Sequence, residues 1–174
     1  NKRIILLSVS ALLQRVPARS VFKDTVLTIS KKDEFSRDNL LEYLDKNGYG
    51  RTETVMEPGE YSLRGGIIDL FPPGQKHPVR LDIFGDDLES IRTFDPLSQL
   101  SSGTLKKFSL RPVQEFWLDN DSITRFRTGY RELFGAIKET DPLYEAISDG
   151  RTHIGMEHWL PLFHKKLEVY QLLR

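Results

Sequence analysis

Short strand patterns separated by turn residues occupy the middle of this chain and limit its fold more than any other feature. Segments with the β-branched or alternating content of strands lie at residues 53–57, 60–64, 67–71, 79–84 and 88–94. Turn residues separate most of these segments: Pro58-Gly59, Pro72-Pro73-Gly74 and Gly85-Asp86-Asp87. Closely spaced strands joined by such turns are typical of an antiparallel sheet.

A helix is predicted to precede these strands. Ser36 is a favourable N-cap residue for a helix over residues 37–47, and Gly48 follows as a helix terminator. Three leucines fall on one side of this helix: Leu40, Leu41 and Leu44. With a further strand at residues 26–29, the pattern predicts an α+β unit, a small antiparallel sheet with one packed helix.

The two ends of the chain follow different patterns. Residues 3–9 form a continuous apolar run, which predicts a strand covered on both faces, as in a parallel sheet. After Pro112, apolar residues recur at steps of three and four over residues 123–137, and a second helix is predicted from Asp141-Pro142 to Gly150. We interpret the first of these segments as the edge of another domain.

The charge balance excludes a protein that wraps nucleic acid non-specifically. The chain has 25 Lys and Arg residues and 25 Asp and Glu residues, so its formal net charge is zero. Within this balance, residues 1–23 carry a net charge of +5 and residues 51–95 a net charge of −4. An acidic segment with few arginines favours a protein interface in which single arginines pair with carboxylates.

Motifs for catalysis and cofactor binding are missing from the sequence. It has no phosphate-binding glycine loop, no Gly-x-Gly-x-x-Gly fingerprint and no nucleophile elbow. Its four histidines lack the spacing of a metal site: His77, His153, His158 and His164. We therefore predict no catalytic residue, cofactor or metal. The absence of cysteine and of a long apolar segment predicts a soluble, cytoplasmic protein without membrane contact.

Side-chain alternation predicts two faces for the central hairpin. If the strand ending at Phe71 pairs with the strand beginning at Val79, Asp69 lies opposite Leu81. One face would be apolar: Leu63, Ile67, Phe71, Val79, Leu81 and Ile83. The other would mix charged and apolar groups: Arg64, Arg80, Asp82, Ile68, Leu70 and Phe84. Such a mixture is typical of a protein interface, and the alternative is that another element of a longer protein covers it.

Several motifs resemble the UvrB/Mfd family of bacterial nucleotide excision repair proteins. The segments that carry the resemblance are EPGEYSLRGGIIDLFPPG at residues 57–74 and VRLDIFGDDLESIRTFDP at residues 79–96. The sequence SRDNL at 36–40 is similar to the helix that precedes these strands in the family. The sequence GMEHWLPLF at 155–163 is similar to the transcription-repair coupling factors rather than to UvrB. The resemblance covers nearly the whole chain.

The resemblance implies a domain organisation. In that family the strand-rich unit is domain 2, an insertion in a larger helicase-like domain 1, and it binds UvrA, the damage-sensing ATPase. Residues 1–24 would end the first half of domain 1, residues 25–112 would form domain 2, and residues 113–174 would begin the helical second half. The longer protein would be an ATP-dependent DNA translocase with RNA polymerase and double-stranded DNA as partners, and its motor would lie outside this chain.

The resemblance also implies binding residues. Family positions that contact UvrA match four residues here: Arg51, Arg64, Arg80 and Asp82. Ser62 departs from UvrB-type sequences, which have an arginine at that position, and a weaker contact is expected there. To these positions, alternation adds three apolar neighbours: Ile68, Leu70 and Phe84.

We therefore expect a non-catalytic interaction module that recruits UvrA in transcription-coupled repair. An intramolecular contact is expected to mask its binding face in the full-length protein until it is needed. Two alternatives remain open. One is the equivalent region of UvrB, and the other is a nucleic-acid-binding module in which the basic first segment and the arginines near residue 127 hold a duplex.

Overall fold

Contacts within the chain divide it into two structural units. A computed structural model describes residues 4, 6–136 and 141–169. One unit comprises residues 22–114, and the other comprises residues 1–21 and 115–174. Within the described residues, no helix has the length and apolarity needed to span a membrane.

Seven consecutive strands lie between the third and the fourth α-helix of the described chain. The helices are α1 (Val9–Leu13), α2 (Arg19–Lys23), α3 (Arg37–Lys46), α4 (Asn120–Phe134), α5 (Pro142–Ser148) and α6 (Leu160–Phe163), with a 3-10 turn at Met156–Trp159. The strands are β1 (Arg15–Pro17), β2 (Leu27–Ser30), β3 (Gly50–Arg51), β4 (Glu60–Arg64), β5 (Ile67–Leu70), β6 (Val79–Phe84), β7 (Asp87–Phe94), β8 (Ser101–Thr104), β9 (Lys107–Leu110) and β10 (Leu167–Val169).

A six-stranded sheet with the order β3-β4-β5-β6-β7-β8 forms the centre of the 22–114 unit. Its pairs are antiparallel except β3 with β4, which is parallel. Strands β2 and β9 form a separate antiparallel ribbon. The predicted α+β class is confirmed.

Helix α3 and the sheet bury a common core. The Ser36 hydroxyl accepts a hydrogen bond from the backbone N–H of Asn39 at 3.3 Å and caps the helix, as the sequence predicts. Leu40 and Leu44 of α3 are buried in one cluster with apolar sheet residues: Tyr61, Ile68, Leu70, Val79, Leu81 and Ile91. Burying each large apolar side chain contributes about 1.5–3 kcal/mol, so this contact fixes which face of the sheet is covered.

The strand predicted at residues 53–57 is wrong. These residues form bends and irregular backbone, and the strand that pairs with β4 here is the shorter β3. The Glu60 carboxylate accepts hydrogen bonds from the backbone N–H groups of Met56 at 2.7 Å and Glu57 at 2.9 Å. A side chain that binds these donors offers the backbone an alternative to a strand ladder.

The strand predicted at residues 3–9 is also wrong within its described part. Residues 4 and 6–8 are outside any strand, and Val9 begins α1, because the Ser8 hydroxyl accepts a hydrogen bond from Ala11 N–H at 3.2 Å. Residues 3 and 5 lie outside the described residues, as does Ile137 of the predicted helical pattern.

The second unit is built around aromatic side chains. Helix α4 begins with a capping box between Asp119 and Ser122, and α5 has the predicted N-cap, Asp141. The Phe163 ring stacks on Phe126, with 5.1 Å between the ring centroids. The remaining buried members of the cluster are Phe116, Tyr130, Tyr144, Ile147 and Met156.

The pairing of β5 with β6 differs from the prediction by one residue. Leu70, not Phe71, lies opposite Val79, so Asp69 lies opposite Arg80 instead of Leu81. Phe71 instead pairs on the β4 side, where its N–H donates to Glu60 O at 2.9 Å and its carbonyl accepts from Gly59 N at 2.7 Å. The predicted faces of β4 and β6 keep their composition, while the side chains of β5 exchange faces.

Two glycines set this pairing. Gly65 and Gly66 form the two-residue turn between Arg64 and Ile67, with a φ of 60° at Gly65. Gly66 O accepts a hydrogen bond from Ile83 N at 2.7 Å, and a Cβ at Gly66 would lie 2.4 Å from Ile83 O. Gly66 therefore allows the hairpin to approach β6 at a distance that a side chain prevents.

We predict that Gly66→Ala destabilises the 22–114 unit more than Gly65→Ala. Gly65→Ala meets open space and should cost about 1–2 kcal/mol from its positive φ alone. Gly66→Ala must separate β5 from β6 and should cost about 2–3 kcal/mol. Urea unfolding of the two variants measures the difference, and a less stable Gly65→Ala variant would contradict this account of the register.

We predict that Tyr61→Phe makes the stability of the 22–114 unit less sensitive to alkaline pH. The Tyr61 hydroxyl donates to Asp45 Oδ1 at 2.7 Å, and burial, then Asp45, raises the pKa of Tyr61 to about 12. Because the unfolded phenol ionises near pH 10, its contribution to stability is complete below that pH and is lost as the pH rises toward 12. Unfolding of Tyr61→Phe, followed from pH 8 to 12, should show a smaller decline above pH 10 than the original chain. Equal declines would contradict the role of Tyr61.

Candidate protein interface on the six-stranded sheet

The sheet has one face away from α3, and this face is largely polar. Residues aligned across the strands lie on the same face of a sheet. One row contains Arg64, Ile67, Asp82 and Ser90, and the next contains Ser62, Asp69, Arg80 and Arg92. We call these eight residues the outer face.

Asp69 is the centre of the outer face. Its side chain is fully buried, and its Oδ1 accepts from Arg80 Nε at 2.7 Å while its Oδ2 accepts from Arg80 Nη2 at 2.9 Å. The same Oδ2 also accepts from Arg64 Nη2. A buried carboxylate is costly unless cations and hydrogen bonds compensate its charge, and the two arginines provide both.

Several interactions fix the position of the Arg80 side chain. Besides its two bonds to Asp69, its Nη1 donates to Gln99 O at 3.2 Å, and its Cζ lies 4.7 Å from the centroid of the Phe94 ring. The hydrogen bond to Asp69 is the main cause that raises the pKa of Arg80. Gln99 adopts a φ of 59° and donates from Nε2 to Val55 O and Pro96 O, which fixes the loop that covers Arg80.

The two arginines that hold Asp69 differ in accessibility. The Arg80 side chain is 13% exposed, whereas the Arg64 side chain is 48% exposed. Arg80 therefore has little surface to offer to another molecule. Arg64 offers half of its side chain while it stays paired with Asp69.

A second ion pair lies beside the first. Asp82 Oδ2 accepts from Arg92 Nη2 at 2.6 Å, from Arg92 Nε at 3.0 Å and from the Ser90 hydroxyl. Both charged side chains are partly exposed. Sequence reasoning missed Asp69 and Arg92 as members of this face. Pairing of residues 79–84 with 87–94 across the Gly85-Asp86 turn is the signal that could have indicated Arg92.

Three predicted site residues do not share this face. Ile68 and Leu70 are 0% exposed in the core under α3, so their predicted place beside Arg80 is wrong. Arg51 is exposed and aligned with Tyr61, a residue of the α3 side. Phe84 is 79% exposed and, by alternation along β6, points to the same side as Asp82.

Ser62, where the resemblance leads us to expect only a weak UvrA contact, is a buried member of the outer face. It is 1% exposed and lies opposite Asp69. Its hydroxyl has no hydrogen-bond partner within the part of the chain that the structure describes. Ser62 therefore offers no surface to another protein.

The described residues contain no group of three or more His, Asp or Glu side chains that could hold a metal ion. The outer face is instead an arrangement of paired charges around a buried carboxylate, with an exposed aromatic residue at the end of β6. Exposed arginine and aromatic groups on a rigid sheet are features of sites that bind other proteins.

Similar proteins from several bacteria share one name, transcription-repair-coupling factor. The transcription-repair-coupling factor of Haemophilus influenzae is 40% identical over 168 residues, which is 96% of this chain and 15% of that protein. The Escherichia coli factor is 38% identical over 163 residues, or 94% of this chain and 14% of its own length. The Bacillus subtilis factor is 35% identical over 178 residues, covering 94% of this chain and 15% of that factor. The chain thus spans about 15% of the length of these relatives.

A family match covers the sheet itself. Residues 27–116 match the family described as the UvrB interaction domain, and this range includes every residue of the outer face. The resemblance noted from the sequence motifs is confirmed by this match and by the relatives. On these grounds the chain belongs to the UvrB interaction domain family.

Proposed function

We propose that this chain is a non-catalytic module that binds UvrA through the outer face and so recruits it in transcription-coupled nucleotide excision repair. The observation that carries the proposal is the half-exposed Arg64, held on the outer face by the buried carboxylate of Asp69. The family description as an interaction domain and the relatives' name as coupling factors support it. UvrA as the partner comes from the motif resemblance.

Charged and apolar groups would act together in this contact. The outer face has three arginines and two aspartates, so its formal charge is +1. A carboxylate of UvrA would pair with the accessible edge of Arg64, and Phe84 would enter an apolar site at the end of β6. Losing one partner of a buried charge pair typically costs about 2–5 kcal/mol, mainly because the remaining charge stays unpaired.

Arg51 and Asp82 have different places in this proposal. Asp82 shares the outer face with Arg64 and is paired with Arg92, so UvrA would meet the two as a unit. Arg51 is aligned with the α3 side and would contact UvrA only if the partner extends around the β3 edge.

The flanking residues belong to the same proposal. Residues 1–24 and 113–174 would be parts of a helicase-like domain 1 around the UvrA-binding domain 2 at 25–112. The translocase motor and the contacts with RNA polymerase and double-stranded DNA would lie elsewhere in a longer cytoplasmic protein. In that protein an intramolecular contact would mask the outer face. Relatives that are coupling factors favour this parent over UvrB.

We predict that Arg64→Ala weakens the binding of purified UvrA by at least about 30-fold, because a contact arginine at the centre of an interface contributes about 2 kcal/mol or more. Truncation to alanine leaves Asp69 paired with Arg80, so the fold should persist. Arg37→Ala, at the exposed start of α3 on the other side of the sheet, is the matched control and should bind UvrA normally. Calorimetric titration measures both affinities.

Two results would contradict the proposal. One is equal UvrA binding by a folded Arg64→Ala variant. The other is the absence of UvrA binding by the original chain together with binding of duplex DNA that falls steeply with salt, which would support the nucleic-acid-binding alternative.

We predict that Arg80→Ala acts mainly on stability. It removes the two hydrogen bonds that Arg80 donates to the fully buried carboxylate of Asp69. Breaking a buried ion pair costs about 3–5 kcal/mol. Arg64→Ala should cost about 1 kcal/mol, since Arg64 is half exposed and Arg80 still compensates Asp69. Urea unfolding of the two alanine variants compares them directly. Equal stabilities would show that Arg80 is not the structural partner of Asp69.

A further inference from the structure

Asp69 lies at the centre of the outer face and yet cannot touch a partner protein, because its side chain is 0% exposed. We infer that Asp69 is a positioning residue, which holds the Arg64 guanidinium in its binding orientation before UvrA arrives. This inference rests on the proposed function, because it takes Arg64 as the residue that contacts UvrA. It attributes the fixed orientation of Arg64 to the buried side chain of Asp69.

The hairpin geometry supports this role. Arg80 lies directly opposite Asp69 and binds both carboxylate oxygens, which fixes the plane of the carboxylate. Arg64 lies one row away on β4 and reaches Oδ2 across the diagonal. Long side chains at diagonal positions of neighbouring strands are close enough to interact. Arg80 thus orients Asp69, and Asp69 orients Arg64.

Ser62 leaves this diagonal contact open. It occupies the β4 position directly opposite Asp69, where a long donor would compete for the carboxylate, but its hydroxyl makes no hydrogen bond within the described residues. The third bond to Asp69 therefore comes from Arg64.

Positioning and simple electrostatics predict opposite effects for Asp69→Asn. If Asp69 only competes with UvrA for Arg64, removal of its charge raises the positive charge of the outer face and should tighten binding. If Asp69 positions Arg64, the substitution frees the Arg64 side chain, which has several rotatable bonds. Binding to UvrA must then offset the entropy that this side chain loses when it becomes ordered. The rotamer freedom of an arginine corresponds to about a tenfold weaker affinity.

The experiment is a double-mutant cycle with purified UvrA and the full 174-residue chain. We expect Asp69→Asn to raise the Kd about tenfold in the original background and to have no further effect in the Arg64→Ala background. Tighter binding, unchanged binding, or an equal loss in both backgrounds would overturn the inference, because an equal loss indicates a general distortion of the sheet.

A second measurement needs no substitution at Asp69, whose loss could unfold the sheet. In side-chain NMR spectra of arginine-labelled chain, restricted rotation gives the Arg64 guanidinium separate Nη signals, and Arg64→Ala assigns them by their disappearance. Averaged signals for Arg64, like those expected of the exposed Arg37, would overturn the inference.

The two proposals fail in different ways. If Arg64→Ala leaves UvrA binding unchanged, the proposed function fails at the contact itself. If Arg64→Ala weakens binding while Asp69→Asn does not, the contact stands and the positioning role fails.

Discussion

The paired charges of Asp69 and Arg80 are the interaction on which the rest of the outer face depends. A carboxylate that solvent does not reach needs a cation with matching geometry, and the Arg80 guanidinium provides two parallel bonds to it. The Phe94 ring and Gln99 then immobilise Arg80. With both members fixed, Asp69 Oδ2 accepts its further bond from Arg64 Nη2 in a set direction. An exposed sheet face thereby gains the order that is usual only in a protein core.

This interaction requires the observed strand register. A shift of one residue between β5 and β6 would place Asp69 opposite Leu81 and turn the carboxylate into the apolar core under α3. Gly66 prevents the shift by letting its carbonyl meet Ile83 N at 2.7 Å. The observed register thus allows both the close approach of Gly66 to Ile83 and the pairing of Asp69 with Arg80. Both contacts in turn stabilise that register.

The sequence predicted much of the fold and part of the site. Turn residues and caps such as Ser36 act locally, so α3 and the strands at 60–64 and 79–84 were predicted at or within one residue of their observed bounds. The register was predicted one residue off, because the strand was taken to reach Phe71, whereas β5 ends at Leu70. The charge of Asp69, which the predicted pairing would turn toward the apolar core, was not used to test it. Ile68 and Leu70 were misplaced for this reason, and Asp69 was missed as the partner of Arg80. Strand β3 was missed because two residues give no periodic signal.

The outer face has a formal charge close to zero, and this affects how it could select a partner. With three arginines and two aspartates, the outer face exerts little long-range attraction, so charge steering alone would not distinguish one acidic partner from another. Selectivity must then come from geometry at contact, where a carboxylate has to meet a guanidinium whose orientation is already set. A mobile arginine of the same charge would bind many acidic partners weakly. The internal pairing that reduces the net charge of this face is therefore also what would make its recognition specific.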